Sequence, residues 1–314
     1  MIVKGYKQTG TGFAGQDQES WTGVWGSVHD LTKSFDCADR DYLAPFFRKF
    51  FPRPPGKILE GGCGIGKYVA AYKRLGYDIR GVDFSAETIR RVKDFDPDLP
   101  IEEGNIVALP YDDHSFDCYY SGGVIEHFEE GPDGPLREAR RVLRNGGVLL
   151  ATVPYVNFLR RMYFSTGLQR RDKNLLLQKC DQCALDSMTP EGFLFSEYSF
   201  DVGSVRPFFE RNGFAIEESI PTDFLWGEVG MLLVSTARRL TRQNLDHTKS
   251  LDHTKSLRDQ PSAGVLGGSY GSLRRSWLYD FLVTEDWEHP WFRLPLRALN
   301  YLSGHMVMLV ARAV

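Results

Sequence analysis

From Lys57 onward, short apolar runs alternate with amphipathic stretches of helical period, the pattern of a sheet with helices on both faces. "KILEGG" predicts a first strand, and Gly66 to Leu75 a helix stopped by Gly76 at its C′ position. "DIRGVD" is a second strand ending in Asp83, after which Ser85 offers an N-cap for a helix reaching Phe95. "PIEEGN" is a short third strand and Phe116 to Ser121 a fourth. Pro135 starts a helix, "PLREARRVLRNGG", that ends in a glycine pair. "GVLLATVP" is apolar throughout, as a central strand buried on both faces must be. Repeated β/α units of this kind predict a doubly wound α/β fold.

Beyond Pro154 the pattern loosens, then returns at "VGSVRPFFERNGFAIEESIP", a helix ending at Gly213 followed by a strand. "HMVMLVARAV", apart from His305, reads as one more buried strand. The division that follows is an N-terminal lid or helical segment over 1–56, a core over 57–221, an insertion over 222–304 and a final core strand over 305–314. The insertion exceeds an ordinary connection, so it is expected to be a mainly helical subdomain. Within it a flexible loop is expected over 244–272, where "LDHTKS" occurs twice in tandem, too short a polar repeat to build a solenoid. "GGSYG" around Ser269 has the spacing of a hydrolase elbow but sits in a glycine-rich linker, not between a strand and a helix.

The 314 residues, 42% hydrophobic and 25% charged with a formal net charge of −3, describe an ordinary globular chain without a basic stripe for nucleic acid. No signal-type or bilayer-spanning apolar run is present, which places the chain in the cytoplasm as an expectation. Five cysteines fit reduced thiols. The pair Cys180 and Cys183 lacks the two further ligands of a closed zinc site, so both are read as loop or helix cysteines and no metal site is expected.

"LEGGCGIGKY", Leu59 to Tyr68, carries the candidate chemistry. As a phosphate loop it puts Tyr68 where a Ser or Thr must bind magnesium, and as a dinucleotide fingerprint it puts Lys67 where the third glycine belongs. A P-loop-like nucleotide enzyme and a nicotinamide-dependent oxidoreductase are therefore the weaker alternatives. S-adenosylmethionine has no phosphate and needs close backbone approach, which Gly62, Gly64 and Gly66 permit. Glu60 can accept from its ammonium side, Asp83 can grip a ribose diol, Phe84 can pack on adenine, and Asn105 can offer its amide oxygen to the adenine amino group.

"ILEGGCGIGKY", "GVDFS", "EGNIVALPYDDHSFDCYYSGGVIEHF" and "REARRVLRNGGVLLATVP", in that order and spacing, resemble the class I S-adenosylmethionine-dependent methyltransferases, in particular the small-molecule group with an acidic-x-G-x-G-x-G loop. The resemblance implies a Rossmann-like sheet, mostly parallel with an antiparallel last strand, and a cofactor site lined by Glu60, Gly62, Gly64, Asp83, Phe84, Asn105, Ile106, Ser121 and Gly122. Many relatives carry Asp where Glu60 and Asn105 stand here. It also implies methyl transfer by in-line displacement to a small acceptor; a non-catalytic binding module on the same fold is the other alternative.

His127 in "VIEHF" has a pKa suited to a general base, with Glu126 the alternative, and a structural role for the pair is of equal weight. Trp21 and Trp25 are read either as a lid over the site or as core. In the insertion, "MLLVSTARRLTR", "LRRSWLYDFLV" and "WFRLPLRALNYL" fit core packing, a substrate roof or a dimer face better than peripheral membrane contact.

Overall fold

The computed structural model describes residues 1–9, 15, 17–40, 42–165, 175–180, 189–223 and 298–314. The tandem repeat, the "GGSYG" segment, Cys183 and nearly all of the insertion, with the membrane and roof readings placed on it, lie outside these residues. Among the described residues no helix is long and apolar enough to cross a membrane.

Among the described residues, seven strands form the main sheet: β2 (Lys57–Gly61), β3 (Asp78–Asp83), β4 (Ile101–Glu103), β5 (Phe116–Gly122), β6 (Leu143–Pro154), β9 (Phe214–Thr222) and β10 (Met306–Ala313). Their spatial order is β4-β3-β2-β5-β6-β10-β9. Pairings from β4 through β6 are parallel, and β10 runs antiparallel to both β6 and β9. This is the doubly wound sheet that the alternation predicts. Consecutive residues feed opposite cores: Leu59, Tyr119 and Leu149 pack on one face, Ile58, Tyr120 and Leu150 on the other. With both faces covered, the period-two signal merges into continuous apolar runs.

The helices follow their caps. Ser85 accepts from the Thr88 N–H at the start of α5 (Ala86–Phe95), as predicted. Helix α4 (Lys67–Arg74) ends in a Schellman motif: the Gly76 N–H reaches the Lys73 carbonyl, the Tyr77 N–H reaches that of Tyr72, and Gly76 sits at φ +86°. Helix α6 (Asp133–Val142) stops before the expected glycine pair, because Leu143 already pairs with Phe116. The next residues bulge through Gly146 at φ +75° before Val148 meets Cys118.

A second sheet was not legible in the chain's periodicity. β1 (Ile2–Gln8) lies between β7 (Leu175–Cys180) and β8 (Phe193–Phe200), antiparallel to both. The N-terminal segment therefore opens with a strand, and helices α1 (Gln18–Gly26), α2 (Leu31–Cys37) and α3 (Ala44–Phe50) follow it. Cys180 is a buried strand residue, correcting the loop or helix reading. Lys4 on β1 is 1% exposed; its ammonium lies 5.4–5.8 Å from the ring centroids of Tyr6, Phe195 and Tyr198 and 3.3 Å from Glu129.

Candidate functional site

Strand order reverses between β3 and β5 on either side of β2, and the crevice at their carboxyl ends is where an open α/β sheet binds ligands. The loop leaving β2 alternates through positive φ at Gly62 (+76°), Gly64 (+53°) and Gly66 (+68°), a path that side chains with a Cβ rarely follow. It is pinned to the tip of β3: the Gly62 and Cys63 N–H groups donate to the Val82 carbonyl, and the Gly64 N–H donates to Asp83 Oδ2 at 2.7 Å. Asp83 Oδ1 accepts from the Ser85 N–H at 3.0 Å. Burial raises the Asp83 carboxyl pKa, and these two backbone donors oppose the rise. Cys63 is buried, its thiol pushed up by desolvation, and packs against Gly81 as a spacer.

A cavity of about 210 Å³ opens above this loop. Gly62, Asp83 and Gly122 form its middle, with Phe84, Asn105 and Ile106 on one side and Val124, His127 and Phe128 on the other. Helix α1 covers it, held by an Asp17 N-cap. Gln18, Trp21, Thr22 and Trp25 share one face at i, i+3, i+4 and i+7. Gln18 donates to the Phe84 carbonyl at 2.6 Å, Thr22 shares a hydroxyl hydrogen bond with Ser85 at 2.8 Å, and Arg91 donates to the carbonyls of Trp25 and Val28. Trp25 lies so close over the loop that a Cβ on Gly64 would stand 2.4 Å from its ring. Both tryptophans line the cavity, half-buried.

His127 closes the far side. It ends a 3-10 turn, Ile125–His127, and its Nδ1 lies 2.8 Å from the Ser196 carbonyl on β8. A carbonyl can only accept, so Nδ1 carries the proton and Nε2 carries the lone pair. Desolvation lowers the His127 pKa, partly offset by Glu197 and the Ser196 carbonyl. The Trp21 ring meets it edge-on, with centroids 5.0 Å apart and planes at 73°, and the Trp21 N–H donates to the Gly15 carbonyl. Glu126 is buried and does not line the cavity, though its Oε1 lies beside the lining residue Gly123; burial lifts its carboxyl pKa well above the ordinary range, and Oε2 has no hydrogen-bond partner among the described residues.

The structure thus gathers Gly62, Asp83, Phe84, Asn105, Ile106, Gly122 and His127 around one cavity. Five other sequence candidates do not line it, Gly64 among them, which lies beneath the Trp25 ring. Gly66 faces Ile101 and Leu99, so its glycine serves the turn and the packing beneath it. Glu60, Ser121 and Glu126 are buried behind the lining. Asn105 Oδ1 accepts from the Val107 N–H at 3.1 Å, an Asx turn that engages the oxygen expected to face adenine. Gly15, Val124 and Phe128 are lining residues that the sequence reading missed; Val124 and Phe128 are the two ends of "VIEHF", and Gly15 lies outside any motif. Lys67 rests 4.4 Å from the Tyr68 ring centroid and does not line the cavity, contrary to the phosphate-loop alternative.

The donor set fits S-adenosylmethionine. The cradle has no Cβ at Gly62 or Gly64, it carries no Lys or Arg among its described lining residues, and an acid stands at the tip of β3. Residues 59–151 match a methyltransferase domain family. A probable S-adenosylmethionine-dependent methyltransferase of Mycolicibacterium smegmatis is 34% identical over 110 residues, covering 35% of this chain and 40% of that protein. An uncharacterized 37.1 kDa protein from a transposon of Streptomyces fradiae is 35% identical over 135 residues, covering 41% and 38%. The chain therefore spans about two fifths of the length of these curated relatives. A solved Haloferax volcanii complex of a methyltransferase activator with a methyltransferase aligns at 16% identity, covering 92% of this chain and 96% of that one, with a TM-score of 0.48. The segment 59–151 is a class I S-adenosylmethionine-dependent methyltransferase domain, and the sheet order around it is that of a Rossmann-like fold.

Proposed function

We propose that the protein transfers a methyl group from S-adenosylmethionine to a small organic acceptor by in-line displacement. One observation carries the reading: one cavity is lined by Gly62 of the positive-φ loop, by Asp83 and by His127, with Trp21 and Trp25 of helix α1 adding to its wall. When bound, the cofactor supplies an activated methyl group. Asp83 would hold the ribose hydroxyls through the lone pairs not used by Gly64 and Ser85. Phe84 and Ile106 would sandwich the adenine, and the main chain at Gly62 and Gly64 would receive the amino-acid end. Trp21, Trp25 and Phe128 would exclude water and orient the acceptor; near-attack positioning of this kind supplies roughly 7–11 kcal/mol.

Isothermal titration of the full chain tests this. S-adenosylhomocysteine, the demethylated product, is expected to bind in the micromolar range while NAD and magnesium ATP give no heat. Saturable binding of either nucleotide with none of S-adenosylhomocysteine would overturn the proposal.

A further inference from the structure

Resting on the methyl-transfer reading, we infer that helix α1 is a gate over the cofactor cleft, latched to the tip of β3 and to α5. Arg91 is the positioning residue whose grip on the end of α1 sets how fast S-adenosylmethionine enters and S-adenosylhomocysteine leaves.

The need for a gate comes from Trp25. Its ring stands so close over Gly64 that a Cβ there would fall 2.4 Å from it. The indole and a ligand that is to touch the main chain at Gly64 therefore compete for one face of the loop. Trp21 is stacked beside Trp25, with centroids 6.4 Å apart and planes at 28°, and hems the ring in. The way out is a movement of the helix that carries both rings.

Helix α1 is built to move. None of its nine residues is buried, whereas the next helix, α2, buries Leu31 and Phe35, and α3 buries Ala44, Phe46 and Phe47. Apolar burial is what anchors a helix to a core, and segments that lack it open at the lowest free-energy cost. Polar contacts hold α1 instead. Gln18 donates to the Phe84 carbonyl at 2.6 Å, and the Thr22 and Ser85 hydroxyls lie 2.8 Å apart, so the first turns are tied to the residues that follow Asp83. The other end is held by Arg91 of α5, which donates to the Trp25 carbonyl at 2.8 Å and to that of Val28. Helix α1 has no basic residue in its last turn, and its final carbonyls carry the negative end of the helix dipole. The Arg91 guanidinium supplies the missing cation from outside the helix.

Every one of these contacts joins α1 to the β3–α5 segment and none passes through the ligand. They hold the gate shut over a filled cleft as over an empty one. A change that favours neither state over the other leaves the equilibrium in place and alters only the barrier between them. Loosening the latch should therefore speed entry and release together. A residue that merely gripped the cofactor would speed release alone.

The test has two arms, both on the full chain with S-adenosylhomocysteine as the probe. In the first, association and dissociation rates are read by surface plasmon resonance. Arg91→Ala is expected to raise both about tenfold, with Kd kept within about threefold. Arg91→Lys, which leaves a cation at the helix end, should fall between, and Arg90→Ala, at the exposed neighbouring position, should shift neither rate by more than about twofold. In the second arm Thr22→Cys and Ser85→Cys are combined, placing two thiols where the hydroxyls now meet, and the pair is oxidised to tie α1 down. The oxidised protein is expected to take up and release the probe at least about tenfold more slowly than the same protein after reduction. Both states lack the Ser85 cap, so its loss cancels from the comparison. Equal exchange in the oxidised and reduced protein, a disulfide that does not form, or an Arg91→Ala variant with unchanged association would overturn the inference. No binding of the probe to the parent chain would instead bring down the methyl-transfer reading on which it rests.

Discussion

The two walls of the cavity are built in opposite ways. On the glycine-loop side, contacts are local: Gly62 bonds to Val82, and Gly64 to an Asp83 nineteen residues away, all within one strand–loop–helix–strand unit. On the His127 side they are distant. The imidazole leans on Ser196, 69 residues later, and β8 is itself held by β1, where Ile2 pairs with Phe200. A wall made of contiguous backbone conforms to a ligand common to a whole family, because main-chain atoms and glycines do the touching. A wall assembled from side chains on scattered elements is free to vary with the acceptor.

The sharpest way to break this comparison is Asp83→Ala. The change removes the predicted ribose ligand and also orphans the Gly64 and Ser85 N–H groups, each a buried donor whose lost partner costs about 1–3 kcal/mol. Affinity for S-adenosylhomocysteine is expected to fall about 100-fold or more, equivalent to roughly 2.7 kcal/mol, with a lower Tm. Asp83→Asn, which keeps one carbonyl acceptor, should fall between. Titration calorimetry with unchanged affinity in both variants would show that the local wall does not hold the cofactor.

The distant wall should respond differently. Lys4→Ala removes a buried cation from three rings and from Glu129, and leaves a void between β1 and β8. Because Glu129 is half exposed, its loss of a partner is partly screened, and about 2 kcal/mol of destabilisation is expected, chiefly from the void and the lost cation–π contacts. Lys4→Met, which refills the volume, should cost about half as much. Urea unfolding reads both, and affinity for S-adenosylhomocysteine should stay within threefold. A large loss of that affinity would mean that the small sheet supports the glycine loop as well as the His127 turn.

The same contrast explains what the chain disclosed beforehand. Strands β2, β3, β5 and β6, the Ser85 cap and the Gly76 stop were readable because each is set by neighbours within a few turns of sequence. Asp83 and the glycines were readable for that reason too. β1 escaped because "IVKGYKQ" places Lys4 and Gly5 in a strand interior, and only pairing with the distant β7 and β8, as in Lys7 with Leu175 and Ile2 with Phe200, makes that arrangement stable. Trp21 and Trp25 carried half of a legible signal: with Gln18 and Thr22 they mark one helix face, but nothing local told whether that face met core or cavity. Val124 and Phe128 stood in "VIEHF" but only its two titratable residues were taken as candidates, and Gly15 carried no signal, since lining a cavity leaves no spacing rule. Asn105, expected as a ligand group, does line the cavity, and its oxygen also has a local use in the turn.

Glu126 lies at the junction of the two walls, and its titration gives the smallest and most specific effect. Burial raises its carboxyl pKa above the unfolded value, so the folded state binds the extra proton between those two values. That stabilisation is fully present below the unfolded pKa, about 4.3 for glutamate, and is lost as pH rises toward the folded value. Glu126→Gln, which resembles the protonated form, removes the loss. The variant is therefore expected to match the parent in Tm near the unfolded pKa and to gain on it as pH rises from there, by up to about 1.4 kcal/mol per pH unit until the folded value is passed. His127 acts in the opposite sense: its lowered pKa makes stability fall as pH drops below about 6.5, in parent and variant alike, so it cancels in the difference. A gap in Tm that shrinks with rising pH would place a cation beside the Glu126 carboxylate and contradict the burial that raises its pKa.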